Sequence, residues 1–304
     1  MRPVPDLERH HTVVSDGVRL AVHRYPPRAG SPRRRFPVLC CHGLGANRLA
    51  FDLREDVSLA RYLAGQGYDV FVLELRGHGH SEVPAGRSWG LREYLERDVR
   101  GVAEAILQIR GGRGRADGSL HFIGHSMGGV LGLALAAESG DSILKSVAAI
   151  GAALDYSVGG SGFRALLPFR PLIERLPEFP IHRMARLSSV MVGWVRTPYE
   201  TFNVCPGNTE PELWRQLCRQ GFHGEPTAVL ADLASGLEGG GVKPPDGGPT
   251  YLARLARRTD QPPILCVAGD RDAQCPPAAV KATHARLAKG ELLEVGRASG
   301  AASH

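Results

Sequence analysis

The chain has 304 residues, 43% of them hydrophobic, which is enough for one large α/β domain with or without an insertion, or for two small domains. Its formal charge of +6 is an arginine excess, since only four of the 37 basic residues are lysine (Lys145, Lys243, Lys281, Lys289); they are scattered apart from Arg33-Arg34-Arg35 in a Pro/Gly/Ser loop, which argues against nucleic-acid binding. Six cysteines without a C-x-x-C pair, an N-terminus without an apolar signal core and no apolar run of transmembrane length set the expectation of a soluble cytoplasmic protein with no stable membrane insertion.

Residues 11–24 alternate apolar and polar around Asp16-Gly17 and predict a β-hairpin. Residues 36–41 form a continuous apolar run, the form of a strand buried on both faces, and lead into His42-Gly43-Leu44-Gly45. Residues 59–67 fit a helix closed by glycine, and 68–75 fit another buried strand running into Arg76-Gly77-His78-Gly79-His80-Ser81. Helical spacing covers 91–110. A short strand at 120–123, a turn through Gly124-His125-Ser126-Met127-Gly128 and a small-residue helix from 129 follow. Residues 143–154 hold one more strand. From 156 to 260 the rhythm changes to proline-interrupted helix, with segments at 168–186, 210–221 and 226–237. The strand pattern resumes at 263–269, then a helix at 277–289 and a last strand at 292–295. The order implies an α/β fold, a doubly wound and mainly parallel sheet. Its core would comprise 1–155 and 261–304, with a helical cap inserted at 156–260.

The stretch 119–135, SLHFIGHSMGGVLGLAL, carries the chemistry. A buried strand, a sharp turn with a serine at its tip and a closely packed helix make a nucleophile elbow. Gly124 and Gly128 are required because strand and helix backbones approach closely there, and Ser126 is the expected nucleophile. A serine hydroxyl needs oxyanion donors, a base and an acid that orients the base. The backbone N–H groups of Leu44 and Met127 are the expected oxyanion hole, with Gly43 allowing the loop to come close. The acid should follow a late strand: Asp272 is the first choice, Asp270 the second and Asp155 the third. The base should follow the last strand, where His304 is the only histidine. His284 falls on a helix surface, and His42, His78, His80 and His125 are expected to make local hydrogen bonds.

Four segments, CCHGLGAN (40–47), LARYLAGQGYDVFVLELRGHGHS (59–81), FIGHSMGG (122–129) and LCVAGDRDAQCPP (265–277), resemble the α/β-hydrolase superfamily, in particular its bacterial lipase- and esterase-like members. The resemblance implies Ser126 as nucleophile, Asp272 as acid, a cap that forms the acyl pocket, and neither cofactor nor metal. Glu74 departs from the aspartate that many members carry before Arg-Gly. Members resembling this chain continue past the last strand with a histidine loop and a helix, so the base is either His304 or a residue that the 304 positions do not include. The expected activity is hydrolysis of small or lipid-like carboxylic esters through an acyl-enzyme. An acyltransferase or thioesterase with the same serine, and a non-catalytic member, stand as alternatives. Oligomeric state is left open.

Overall fold

The computed structural model describes residues 8–13, 16–109, 118–138, 143–205, 207–296 and 299. In chain order the elements begin with β1 (Glu8–Val13), β2 (Arg19–Tyr25), β3 (Val38–Cys41), a ribbon β4 (Asp52–Arg54) and β5 (Val57–Ser58), α1 (Leu59–Gly65) and β6 (Val70–Leu73). A π-helical turn at Glu93–Val99 runs into α2 (Arg100–Ile109), followed by β7 (Leu120–His125), α3 (Met127–Glu138) and β8 (Leu144–Ile150). Then come α4 (Arg170–Ile173), β9 (Glu178–Phe179), α5 (Ile181–Ser189), α6 (Pro198–Asn203), α7 (Pro211–Gln220), β10 (Glu225–Pro226), α8 (Thr227–Ala234) and α9 (Tyr251–Ala256). The last are β11 (Ile264–Gly269), α10 (Pro277–His284) and β12 (Gly290–Val295).

Eight strands form one sheet in the order β1-β2-β6-β3-β7-β8-β11-β12. The β1–β2 hairpin turns at Gly17, whose φ of 82° suits glycine, and it joins β6 antiparallel; every other neighbouring pair is parallel. This is the doubly wound architecture expected from the strand rhythm. The four residues of β3 and the four of β6 are all buried, which is why they carry no alternation. From β3 the chain passes to β6 on one side and later to β7 on the other, so the sheet order reverses at β3 and opens a crevice beyond the carboxyl ends of β3 and β7.

The larger core lies between the sheet and α2, α3, α9 and α10; a smaller one, with Phe51, Ala60 and Ala64, lies under α1. Helix α3 is buried along its length from Met127 to Ala137, and its sequence is accordingly apolar all round. It starts at Met127, two residues before the small-residue helix expected from 129, because the turn itself is the first helical turn: Val130 N–H already donates to Ser126 O at 3.0 Å. The stretch between β8 and β11 has its own cluster, Ala185, Val192, Trp214 and Cys218, with Tyr199 stacked on Trp214 at 6.2 Å. The run expected as helix over 168–186 is divided into α4, β9 and α5 by Pro177 and Pro180, which cannot donate a helical hydrogen bond. Helix α9, inside the expected cap range, packs on α3, with Tyr251 and Leu255 buried in the main core. All six cysteines are free thiols. Among the described residues no helix is long and apolar enough to cross a membrane.

Candidate active site at the β3 and β7 strand ends

Ser126 stands between β7 and α3 with φ 52°, the sole positive φ among the described non-glycine residues. A left-handed L-residue costs about 1–2 kcal/mol, so the surroundings must enforce it. They do: Ser126 N–H donates to Ile150 O at 2.8 Å at the end of β8, and the glycines on either side leave no alternative path. A Cβ on Gly124 would stand 2.2 Å from Gly128 O, and a Cβ on Gly128 would stand 2.1 Å from Cys41 O and 2.7 Å from His42 O. The elbow is therefore wedged against the exit of β3. Gly128→Ala is expected to cost about 3 kcal/mol through this backbone overlap, read as a lower urea midpoint with an unchanged m-value.

The same approach places the Gly43 loop. A Cβ on Gly43 would lie 3.0 Å from Ser126 Cβ and 3.3 Å from His125 Nδ1, so residue 43 has to be glycine for loop and serine to meet. Among the described residues, no backbone acceptor takes the N–H of Leu44 or of Met127, which leaves both free for a ligand oxygen. His42 fixes the loop from beneath. Its Nε2 accepts from Leu75 N–H at 3.1 Å, so Nδ1 carries the proton and donates to Gly43 O at 2.9 Å. Burial, with help from nearby His78, holds its pKa down at about 3. In the unfolded chain the ring protonates below its ordinary 6.5, so the stability gained by keeping it neutral is present above pH 6.5 and disappears as pH falls toward 3. Acid is thus expected to remove roughly 3–5 kcal/mol through this ring, and His42→Asn should flatten the stability–pH curve between those limits.

Asp272 follows β11. Its Oδ1 accepts from the N–H groups of Gln274 (2.8 Å) and Cys275 (2.9 Å), which orients the carboxylate. Its Oδ2 is the nearest atom, at 3.3 Å, to where a Cβ on Gly151 would sit, one residue beyond the carbonyl that anchors Ser126. Asp270 instead lies over Gly296 beyond β12 and is exposed, and Asp155 closes a local turn onto Ser157 N–H at 2.9 Å. His304 lies outside the described residues. His284 sits beside Gly290 at the start of β12, and so at the amino ends of the parallel strands, opposite the carboxyl ends that Ser126 and Asp272 follow.

The remaining imidazoles have other partners. Glu74 Oε2 accepts from His23 Nε2 (3.0 Å), His80 N–H (2.8 Å) and His80 Nδ1 (3.1 Å). Burial opposes the Glu74 charge, but these donors hold its carboxyl well below the usual carboxylate range. The three side chains offer ligand atoms within 4.8 Å of one another, a group among the described residues that could hold a metal. The contacts from His23 and His80 converge on Oε2 while Oε1 accepts from Arg48 N–H at 3.3 Å, the form of a hydrogen-bonded hub that ties β2 and β6 to the 76–81 loop.

A second buried group was not legible in the sequence. Glu225, from β10 between β8 and β11 in the chain, is fully buried. It accepts from Gly45 N–H (2.7 Å) and Tyr94 OH (2.7 Å) and lies 3.3 Å from His78 Nε2. His223 adds to the clamp. Its N–H donates to Gly45 O (2.7 Å) and its Nε2 accepts from Gly79 N–H (3.1 Å), with burial holding its pKa down at about 4. Arg76 grips Asp98 with Nε (2.8 Å), Nη2 (2.6 Å) and its own N–H (2.9 Å), and burial pushes the Asp98 carboxyl up to about 6 against that guanidinium. A surface cleft of about 600 Å3, rimmed by Glu96, Arg97, Arg100 and Arg254, opens at the far end of α3 from Ser126 and is too charged to receive an apolar acyl group.

A family model described as alpha/beta hydrolase fold matches residues 37–280. Triacylglycerol lipase 2 of Arabidopsis thaliana is 30% identical over 147 residues, 44% of this chain and 34% of that protein. Lipase 3 of Drosophila melanogaster is 28% identical over 145 residues, 43% and 35% of the two chains. The chain thus spans about a third of the length of these curated relatives. A bacterial membrane phospholipase A of known structure superposes with a TM-score of 0.59 at 22% identity, covering 95% of this chain and 78% of the other, a likeness of fold. With the family match running from β3 to α10 and the Ser126 turn, the Gly43 loop and the Asp272 loop all inside it, the chain belongs to the alpha/beta hydrolase fold family.

Proposed function

We propose that the chain is a serine hydrolase of carboxylic esters with an apolar, lipid-like acyl group. The observation that carries the reading is the enforced left-handed Ser126 in contact range of the Gly43 loop, with two free N–H groups beside it. Ser126 Oγ attacks the ester carbonyl, and the oxygen that becomes negative is held by Leu44 and Met127 N–H. An imidazole placed after β12, His304 or its equivalent, takes the serine proton and passes it to the leaving alcohol. Asp272 orients that ring, and water then releases the acyl group by the same steps in reverse order. The scheme needs no cofactor. The lipase names of the partial relatives support an ester of lipid character.

The test is a panel of p-nitrophenyl esters of increasing acyl length, run beside labelling with a fluorophosphonate. Labelling at Ser126 with turnover favouring longer chains is the expected result. Absence of both labelling and turnover at every length would reject the hydrolase. Transfer of the acyl group to an added alcohol in preference to water would reassign the same serine to an acyltransferase.

A further inference from the structure

Helix α5 and the turn after it present an apolar stripe to solvent. Met184, Leu187, Val190, Met191, Trp194 and Val195 are exposed, with Leu187 at 74%, Val190 at 72% and Trp194 at 87%. Their spacing follows one helical face, and the opposite face, Ala185, Ser188, Ser189 and Val192, is buried. Single exposed apolar residues are ordinary in folded proteins, but an uninterrupted stripe of this kind marks a contact surface.

The charge beside the stripe decides the partner. Arg183, Arg186 and Arg196 are exposed, and between Phe179 and Tyr199 the sequence has no aspartate or glutamate. Elsewhere many arginines are in ion pairs, as Arg54, Arg170 and Arg258 are, whereas none of these three has an ion-pair partner among the described residues. Two copies meeting through this face would bring like charges together. A protruding tryptophan, aliphatic side chains at the same level and unpaired guanidinium groups suit the boundary between headgroups and acyl chains of an anionic bilayer. We propose that α5 and residues 190–196 dock the protein on an anionic phospholipid surface.

The position of the helix ties docking to the site. Ile181, the first residue of α5, lies against Gly45, where a Cβ would stand 2.6 Å from Ile181 Cδ1. Docking therefore holds the lipid surface beside the loop that would receive the ester oxygen; this link rests on the ester-hydrolase reading, whereas the docking itself does not.

The protein carries its own reporter, since Trp89 and Trp214 are buried and Trp194 is not. Vesicles of phosphatidylcholine alone and of phosphatidylcholine with phosphatidylglycerol are compared by co-sedimentation and tryptophan emission. Partition into the anionic vesicles is expected, with a blue shift and loss of aqueous quenching that Trp194→Phe abolishes. Each arginine near an anionic surface contributes about fivefold, so Arg183→Gln, Arg186→Gln and Arg196→Gln together should weaken partition on the order of 100-fold. Leu187→Ser with Val190→Ser should release the protein even at low salt. Ser126→Ala should bind unchanged, so a failed esterase assay leaves the docking test intact. Equal partition into both vesicle types, partition indifferent to the arginine and apolar substitutions, or Trp194 shielded by raising protein concentration without vesicles would each overturn the proposal.

Discussion

Ser126→Ala is expected to lower the rate of ester hydrolysis by about 10⁴-fold or more while leaving the fold intact. The two halves of this outcome have separate causes. Removing Oγ removes the sole nucleophile of the proposed scheme, and the remaining oxyanion donors and binding surface give only residual catalysis. Stability changes little because alanine keeps the Cβ, and with it the strain of a residue at φ 52°. Ser126→Gly separates the effects: it should be equally inactive but more stable than the parent by about 1 kcal/mol, since glycine takes the left-handed conformation without that strain. Rates are read with the ester that the panel selects, and stabilities by urea denaturation. Turnover by Ser126→Ala within tenfold of the parent would remove Ser126 from the chemistry. A Ser126→Gly protein less stable than the parent would mean that the turn is not under strain.

What the sequence makes legible here is local. The elbow is encoded within ten residues, as an apolar strand, two obligatory glycines and a small-residue helix, and each of those features follows from one close backbone approach. The buried strands β3 and β6 are equally plain, because a strand covered on both faces has no polar positions to confuse the pattern. The Gly43 turn is legible for the same reason. Non-local pairing is not. Glu225 lies 180 residues from its partner Gly45 and reads in isolation as one polar residue in a His-Gly-Glu-Pro loop. Arg76 reads as part of a glycine-rich turn, and only the fold reveals that Asp98, on the π-helical turn, takes its guanidinium. The proline-interrupted helix expected at 168–186 resolves into α4, β9 and α5, because the hydrogen-bond ladder cannot continue through Pro177 and Pro180. Periodicity alone does not say which face of a helix meets the core, so the exposed stripe of α5 shows only in the fold.

Glu225→Ala is expected to destabilise the protein by about 3–5 kcal/mol, the largest loss of stability among the substitutions considered. The carboxylate is fully buried and takes two short hydrogen bonds, from Gly45 N–H and Tyr94 OH, with His78 Nε2 at 3.3 Å. Alanine leaves a buried backbone donor, a buried phenol and a buried imidazole facing an empty space, and each unmet group costs about 1–3 kcal/mol. Glu225→Gln retains the volume and one acceptor oxygen. It can satisfy Gly45 while the Tyr94 hydroxyl turns to accept from the amide, so its cost should be about half as large. The two variants also separate stability from catalysis, because Gly45 follows the proposed oxyanion donor Leu44 directly. At a temperature where both remain folded, loosening this loop should lower kcat more than it raises KM, since the oxyanion contact strengthens only as charge develops on the carbonyl oxygen. A Glu225→Ala protein within 1 kcal/mol of the parent would show that β10 does not hold the loop. A change confined to KM would instead assign Glu225 to substrate binding, because only a misplaced donor discriminates between the ester and its tetrahedral intermediate.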